Sequence, residues 1–145
     1  MANPFTPGKF TELIFYSEKY APIMSEWYYD FEYRYFFREN IRQRTLEDFK
    51  VMRQDLAAGG VELLVILDKV SQEPVGLMTF QCTSTNGSVY RFGIMLEKGR
   101  QHKTHAIDAI IVLMDYFTNR CSAHKVFVEI CDDDKHIHRI CQLGG

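Results

Sequence analysis

The chain has 145 residues, of which 46% are hydrophobic and 25% charged, which is ordinary for one globular domain with its own core. A formal net charge of -2 provides no broad basic field, so we expect no nucleic-acid partner. No apolar run approaches the ~20 residues that cross a bilayer. The first residues lack the basic and apolar regions of a signal peptide, so we expect no membrane association.

The cysteines are scattered and contain no C-x-x-C pair: Cys82, Cys121, Cys131 and Cys141. In a chain without a secretion signal, such thiols indicate a reduced, cytoplasmic protein. Only Cys131, at the end of a predicted strand, lies near the site proposed below.

The first third of the chain predicts a strand over Thr11–Tyr16 and a helix from about Ala21 to Tyr28. A second helix is predicted to begin after Thr45, which is a favourable N-cap residue. Gly59 and Gly60 end this helix in the manner of a left-handed C-cap. Its apolar stripe consists of Leu46, Phe49, Met52 and Leu56.

Three strands are predicted next, over Glu62–Asp68, Val75–Cys82 and Val89–Leu96. Asn86-Gly87 predicts the hairpin turn before the third strand. Gly93 interrupts one face of that strand, which suggests a bulge or the close approach of another molecule. The opposite face is apolar and consists of Tyr90, Phe92, Ile94 and Leu96.

The last part of the chain predicts a polar loop over Glu97–Lys103, a long helix over Thr104–Asn119 and a strand over Lys125–Ile130. A final helix is predicted over Asp132–Leu143. The apolar face of the long helix consists of Ala106, Ile107, Ile110, Ile111, Leu113, Met114 and Phe117. Its solvent side is predicted to carry Asp108, Asp115 and Asn119.

The resulting order is β-α-α-β-β-β-α-β-α, which predicts a single α/β domain over residues 1–145 with a mixed sheet. The hairpin section should be antiparallel. Residues 89–130 should form a right-handed parallel crossover.

The strand, loop and helix over residues 89–119 form the unit that suggests a chemical function. A loop that leads into a helix N-terminus offers backbone N–H groups to an anion, and the helix dipole adds attraction. Lys98, Arg100 and Lys103 add positive charge at the same place. We therefore expect a ligand that carries a diphosphate.

Several segments in the same order resemble the GNAT superfamily of acetyltransferases, in particular the branch of ribosomal-protein alanine N-acetyltransferases. The resemblance covers the chain from about residue 10 onward. Residues 98–106 lie where that family has Arg-Gly-Lys-Gly-x-Gly-Thr-Glu-Ala. The other matching segments are residues 27–30 with 34–36, Pro74-Val75-Gly76, Arg91-Phe92-Gly93-Ile94 and residues 125–145.

The resemblance implies that acetyl-CoA lies between two central parallel strands that splay apart, here Val89–Leu96 and Lys125–Ile130. A backbone N–H near Met95 would polarise the thioester carbonyl. Glu129, or a water held by it or by Asp132, would accept the proton of a primary amine. The implied cofactor-binding residues are Met95, Leu96, Arg100, Gln101, His102, Lys103, Thr104, His105 and Asp133, and the implied substrate-binding residues are Trp27, Tyr28, Tyr29 and Asp30.

The sequence also departs from the family pattern. Gln101 and Lys103 replace two loop glycines, Arg91 stands where many relatives carry a glutamate base, and Ile140 or Cys141 stands where others carry a tyrosine acid. The family's last two strands are missing, so we expect either a truncated chain or strands supplied by a partner, which is compatible with a homodimer.

These departures leave a second function open, namely a non-catalytic module that binds acyl-CoA or a protein partner. Two residue assignments also have alternatives: Glu129 could be a solvent-facing strand residue, and residues 27–37 could be ordinary core and surface packing. His102 with His105, and His136 with His138, resemble metal-ligand pairs, but helical geometry turns the second pair apart, so we expect no metal.

Overall fold

The computed structural model describes residues 3–29, 46–97, 103–121 and 123–129. Within them, a short 3-10 turn over Glu18–Tyr20 precedes the first helix. The strands are β1 (Thr11–Phe15), β2 (Val61–Asp68), β3 (Pro74–Cys82), β4 (Val89–Leu96) and β5 (Lys125–Glu129), and the helices are α1 (Ala21–Tyr29), α2 (Leu46–Ala58) and α3 (Lys103–Arg120). Among the described residues, these elements follow one another in the predicted sequence as far as β5. The predicted last helix, residues 132–143, lies outside the described residues.

The strands form one sheet in the order β1-β2-β3-β4-β5. Neighbours are antiparallel except for β4 and β5, which pair in parallel from Val89 opposite Lys125 to Gly93 opposite Glu129. The α/β class, the mixed sheet and the parallel pair around the long helix are therefore as predicted. The splaying of β4 from β5 would fall beyond Glu129, outside the described residues.

Successive residues of a strand point to opposite faces of the sheet, and here they belong to two apolar clusters. Different helices cover the two faces. Phe92, Ile94 and Leu96 of β4 share one face, as predicted, and pack there with α3. On the other face, Met95 packs with α1 and α2, whose buried contributors include Met24, Trp27 and Phe49. Strands β2, β3 and β4 thus each contribute to both layers. Among the described residues, no helix is long and apolar enough to cross a membrane.

Glycines mark the predicted turns, but not the predicted bulge. Gly60 after α2 and Gly87 in the hairpin both have left-handed φ values, 82° and 74°. The pairing of β4 with β3 runs through Gly93 without a shift, so no bulge interrupts that pairing, and Gly93 opposite Glu129 is the last described pair with β5. The register shift lies between Ile66 and Leu67 of β2 instead.

Two apolar residues assigned to buried helix faces are exposed. Leu46 at the start of α2 is 39% exposed and Ile111 on α3 is 60% exposed. Both lie at the margin of an apolar stripe, where periodicity alone does not fix which side chain the sheet covers. Phe49, Ala106, Leu113 and Phe117 are buried as predicted.

Asp108, predicted on the solvent side of α3, is buried, with 8% of its surface exposed. Its carboxylate accepts hydrogen bonds from the backbone N–H groups of Lys9, Phe10 and Thr11 at 3.0, 3.0 and 2.9 Å, and from Thr11 Oγ1 at 2.6 Å. The prediction was wrong because it used only the helical periodicity, which describes local neighbours. These donors lie nearly a hundred residues earlier in the chain. Buried carboxylates persist only with such partners.

The approach of this segment to α3 requires Gly8. A side-chain carbon at this position would contact the Asp108 carboxylate and would lie 2.8 Å from Val112 Cγ2. Burial raises the pKa of the Asp108 carboxyl, but the hydrogen bonds from residues 9–11 lower it by more, so its pKa lies below the ordinary value. The ionised carboxylate therefore joins the start of β1 to the second turn of α3.

We expect Asp108→Asn to lower the free energy of unfolding at pH 7 by about 3 kcal/mol, because the amide loses the charge and presents N–H donors to other donors. Asp115→Asn on the exposed side of the same helix is the control and should change stability by about 0.5 kcal/mol or less. Urea denaturation measures both.

The native protein and Asp108→Asn, compared over a range of pH, test whether the charge of Asp108 contributes to stability. A carboxylate with a lowered folded-state pKa contributes stability above its unfolded pKa, ~3.9, and loses it as the pH falls through the folded pKa. The stability difference between the native protein and Asp108→Asn should therefore shrink between about pH 5 and about pH 2. A difference that stays constant over this range contradicts a role for the charge.

Candidate active site

The candidate site lies at the end of the sheet where strand β4 ends and helix α3 begins. Strand β4 ends at Leu96 and α3 starts at Lys103. The intervening residues include three predicted cofactor contacts, Arg100, Gln101 and His102, and lie outside the described residues. For Lys103 only the backbone is described, and it is the first residue of the helix. The helix N-terminus therefore follows the end of β4 as predicted.

The first turn of α3 is attached to the turn between β2 and β3. His105 Nε2 lies 2.8 Å from Asp68 Oδ1, and both side chains are largely buried. The other Asp68 oxygen accepts hydrogen bonds from the backbone N–H groups of Val70 at 3.2 Å and Ser71 at 2.9 Å. The predicted site residue His105 is thus at the expected edge, but its ring is bound by a carboxylate.

Asp68 is a site residue that the sequence reasoning missed. The hydrogen bonds from the Ser71 backbone and from His105 hold the pKa of its carboxyl well below the ordinary value, so it is ionised. Its charge lies near the N-terminus of α3, where a helix favours an anion. Its position at the end of a strand was visible in the sequence, but no local pattern indicated a partner on α3.

Backbone geometry distinguishes between the two residues of β4 predicted to contact the thioester. The N–H of Glu97 donates to Val75 O on β3 at 2.8 Å. Because successive N–H groups of a strand point to opposite sides, Met95 N–H also points to β3, whereas Ile94 and Leu96 point toward the β5 side. Leu96 rather than Met95 therefore has the backbone direction that the predicted oxyanion contact needs.

Gly76 on β3 allows the strands to come together at this point. It lies opposite Leu96. A side-chain carbon on Gly76 would contact Met95 O and would lie 3.1 Å from Leu96 Cα. The Pro74-Val75-Gly76 segment therefore has a physical role in the site: its glycine leaves room for the end of β4.

Among the described residues, the two faces of β4 differ in exposure. Phe92, Ile94 and Leu96 are buried against α3. On the other face Arg91 is exposed, and its cross-strand neighbour Phe127 is 52% exposed. We call the part of this face formed by Arg91, Lys125 and Phe127 the open face.

The predicted catalytic residue Glu129 belongs to the same pair of strands. Its backbone lies opposite Gly93, and its side chain is not described. Catalysis by Glu129 therefore stays a prediction. Asp133, a predicted cofactor contact, and Cys131 lie outside the described residues.

The predicted substrate-binding segment begins in the core. Trp27 is 6% exposed and packs in the cluster that includes Met95 and Leu77, which agrees with the core-packing alternative. Tyr28 and Tyr29 end α1, and only their backbone is described; Asp30 lies outside the described residues. Contact between this segment and a substrate stays a prediction. Thr104, in contrast, is exposed at the start of α3.

The metal-ligating side chains and thiols in the described part of the chain are scattered. It contains no group of three or more His, Cys, Asp and Glu side chains that could hold a metal ion. Cys82 and Cys121 carry free thiols there. Of the four histidines considered as metal ligands, only His105 is described, and it contacts Asp68.

Comparisons with known proteins identify the fold. No protein-family model and no curated protein sequence matches the chain. A GNAT-family acetyltransferase structure from Bacillus anthracis superposes with a TM-score of 0.78 at 14% identity, over 95% of this chain and 80% of that one.

Two further solved structures are of acetyltransferases with a named ligand or substrate. The spermidine N-acetyltransferase from Vibrio cholerae, in complex with CoA and spermine, has a TM-score of 0.76 at 13% identity over 93% of this chain and 79% of that one. RimL, the ribosomal L7/L12 α-N-protein acetyltransferase, has a TM-score of 0.75 at 12% identity over 96% and 77%. The chain therefore has the GNAT acetyltransferase fold, as the motif resemblance implied.

We expect Gly76→Ala to lower the free energy of unfolding by about 1–3 kcal/mol, because the added methyl group forces the end of β4 away. Gly59→Ala is the matched control. A side-chain carbon there would lie 3.5 Å from its nearest neighbour, Leu56 O. The control should leave stability unchanged or slightly raised. Equal stability of the two variants in urea denaturation would show that β3 and β4 are not constrained at Gly76.

Proposed function

We propose that this protein is an enzyme that transfers an acetyl group from acetyl-CoA to a primary amine. The observation that carries the proposal is the parallel pair β4–β5 with α3 between them in sequence, so that the end of β4 and the N-terminus of α3 lie at one edge. The GNAT fold supports it, since solved neighbours of this fold include acetyltransferases bound to CoA. Fold alone does not establish an activity, so residue chemistry must carry the rest.

The cofactor pyrophosphate is proposed to bind against residues 100–105. The N-terminus of α3 offers backbone N–H groups and the positive end of the helix dipole. Lys98, Arg100 and Lys103 supply positive charge in the same segment. Asp68 and His105 would hold the first turn of α3 in place beside this loop.

The transfer step requires an electrophilic carbonyl and a neutral amine. In the proposed arrangement a backbone N–H at the end of β4, on the side that points toward β5, donates to the thioester oxygen as negative charge develops on it. The amine nitrogen forms a bond to the carbonyl carbon, and the bond from carbon to sulfur breaks. Glu129, or a water that it holds, takes the proton that the amine loses. The CoA thiolate that leaves is protonated by solvent.

The non-catalytic alternative has its own support in the sequence. Arg91 stands where many relatives carry a glutamate base, and its side chain donates to Gln81 at 2.6 Å rather than serving as a base. Gln101 and Lys103 replace glycines in the loop. A protein of this kind would bind acetyl-CoA without turnover, which the experiment below distinguishes.

Acetyl-CoA should bind the folded protein and raise its melting temperature. At a concentration a hundred times its Kd, it should raise the free energy of unfolding by about 2.7 kcal/mol. S-Acetylpantetheine has the same thioester without the pyrophosphate and should bind much more weakly. Calorimetry measures binding, and a thiol reagent measures CoA release with a panel of primary amines. No binding of acetyl-CoA at millimolar concentration contradicts the proposal. Binding without release for any amine supports the non-catalytic alternative.

Lys103→Gly tests the charge in the loop, because it restores the family pattern and removes one cation. If the ammonium attracts the pyrophosphate, acetyl-CoA affinity should fall, and the fall should shrink at high salt. Tighter binding of acetyl-CoA by this variant would instead show that the lost glycine is a steric defect.

A further inference from the structure

An acid and a base meet at the first turn of α3, beside the segment where the pyrophosphate is proposed to bind. His105 Nε2 lies 2.8 Å from Asp68 Oδ1, and the two side chains are 17% and 25% exposed. The other oxygen of Asp68 accepts from the backbone N–H groups of Val70 and Ser71. Histidine is the side chain that ordinarily changes its charge between about pH 5 and about pH 8. This contact can therefore change its net charge near neutral pH.

The net charge of the contact follows the protonation of its imidazole. Hydrogen bonds from the Ser71 backbone and from His105 hold the pKa of the Asp68 carboxyl well below its ordinary range, so Asp68 stays ionised at neutral pH. A neutral imidazole leaves the pair with the negative charge of the carboxylate, whereas an imidazolium cancels that charge. Because both side chains are largely buried, solvent screens this difference less than it would at the surface.

Other charged groups lie at this end of the sheet and of α3. The β2–β3 turn contributes Lys69, whose ammonium donates to Gly8 O at 2.9 Å. Asp108 lies one turn after His105 and is held by the backbone of residues 9–11. The remaining charged or titratable groups are Lys9 before β1, Glu12 on β1, Glu73 after the turn, Glu97 after β4, and Lys98, Arg100, His102 and Lys103 before or at the start of the helix. Of these side-chain types, histidine alone ordinarily titrates near pH 7, so an experiment has to distinguish His105 from His102.

From this arrangement we propose that the binding of acetyl-CoA is coupled to the uptake of a proton by His105, so that the affinity rises as the pH falls from about 8 to about 6. The inference rests on the proposed function and describes a regulation of the same site. A pyrophosphate bound against residues 100–105 is opposed by the negative charge of Asp68. Protonation of His105 removes this opposing charge and adds none elsewhere.

The direction of the effect follows from the charges. A bound anion favours the protonated form of a neighbouring base, because it stabilises the cation and not the neutral ring. The complex therefore binds more protons than the free protein over the pH range in which His105 titrates. A process that takes up protons is favoured at lower pH. We expect His105 to account for a factor of about five in affinity between about pH 8 and about pH 6, which corresponds to about 1 kcal/mol.

Calorimetric titration with acetyl-CoA near pH 7, in two buffers that differ in their enthalpy of ionisation, measures how many protons are taken up per ligand bound. The 3′-phosphate of the ligand itself titrates near about pH 6, so the diagnostic quantity is the difference between the native protein and His105→Gln. The glutamine keeps an N–H donor for Asp68 but cannot take up a proton. The native protein should take up more protons per ligand than the variant, and the variant should lose the roughly fivefold gain in affinity at low pH.

Two other histidines provide matched controls for the same titration. His124 is exposed and lies just before β5, beyond the opposite end of α3 from His105. His124→Gln should therefore keep the native proton uptake. His102 belongs to the segment that precedes α3, and His102→Gln should also keep the native proton uptake, because the proposed coupling depends on the carboxylate that contacts His105.

The titration of the His105 ring in the native protein, followed by NMR with and without saturating acetyl-CoA, tests the coupling without any variant. The midpoint of this titration should move to higher pH when acetyl-CoA is bound, because the anion stabilises the imidazolium.

Equal proton uptake by the native protein and His105→Gln overturns the inference, as does a ring titration whose midpoint stays in place or moves to lower pH. Proton uptake that is lost in His102→Gln but kept in His105→Gln assigns the coupling to the other histidine and overturns it as well. In each of these cases acetyl-CoA still binds, so the proposed function stands. Failure of acetyl-CoA to bind at any pH contradicts the proposed function and this inference together.

Discussion

The attachment of α3 by two carboxylates is the constraint on which the rest of the structure depends. Asp108 joins the second turn of the helix to the backbone of residues 9–11, and Asp68 joins the first turn to the β2–β3 turn through His105. Both carboxyl groups have lowered pKa values because N–H groups converge on them. Together they fix where the helix begins relative to the sheet. These contacts hold the N–H groups of the helix N-terminus, which suit an anion, beside the end of β4.

The sheet contributes the end of β4 to the site, through its backbone rather than through its side chains. Gly76 lets β3 lie close to the end of β4. The hydrogen bond from Glu97 N–H to Val75 O determines which amides of β4 point toward β5. The side of β4 on which an oxyanion contact is proposed therefore follows from strand register. The exposed side chains on this part of the sheet are those of Arg91, Lys125 and Phe127.

The elements that periodicity controls could be predicted from the sequence. The alternation of apolar and polar residues predicted the apolar face of β4. The 3.6-residue repeat predicted the buried side of α3, which includes Ala106, Leu113 and Phe117. Interactions between distant segments could not. Asp108 was placed in solvent because its donors are about a hundred residues away, and Asp68 was overlooked because its partner is 37 residues away. The role of Gly76 also depends on a strand that follows later in the chain. Ordered motif resemblance gave the fold class, which the solved neighbours confirm.

The central claim is that acetyl-CoA binds where β4 ends and α3 begins. Backbone amide chemical shifts of ¹⁵N-labelled protein, followed by NMR during an acetyl-CoA titration, test it directly. We expect the largest shifts at Leu96 and over residues 98–105, with little change along β1, which lies at the far edge of the sheet. Saturating shifts confined to β1 and α2, or no shifts at millimolar acetyl-CoA, would contradict the account.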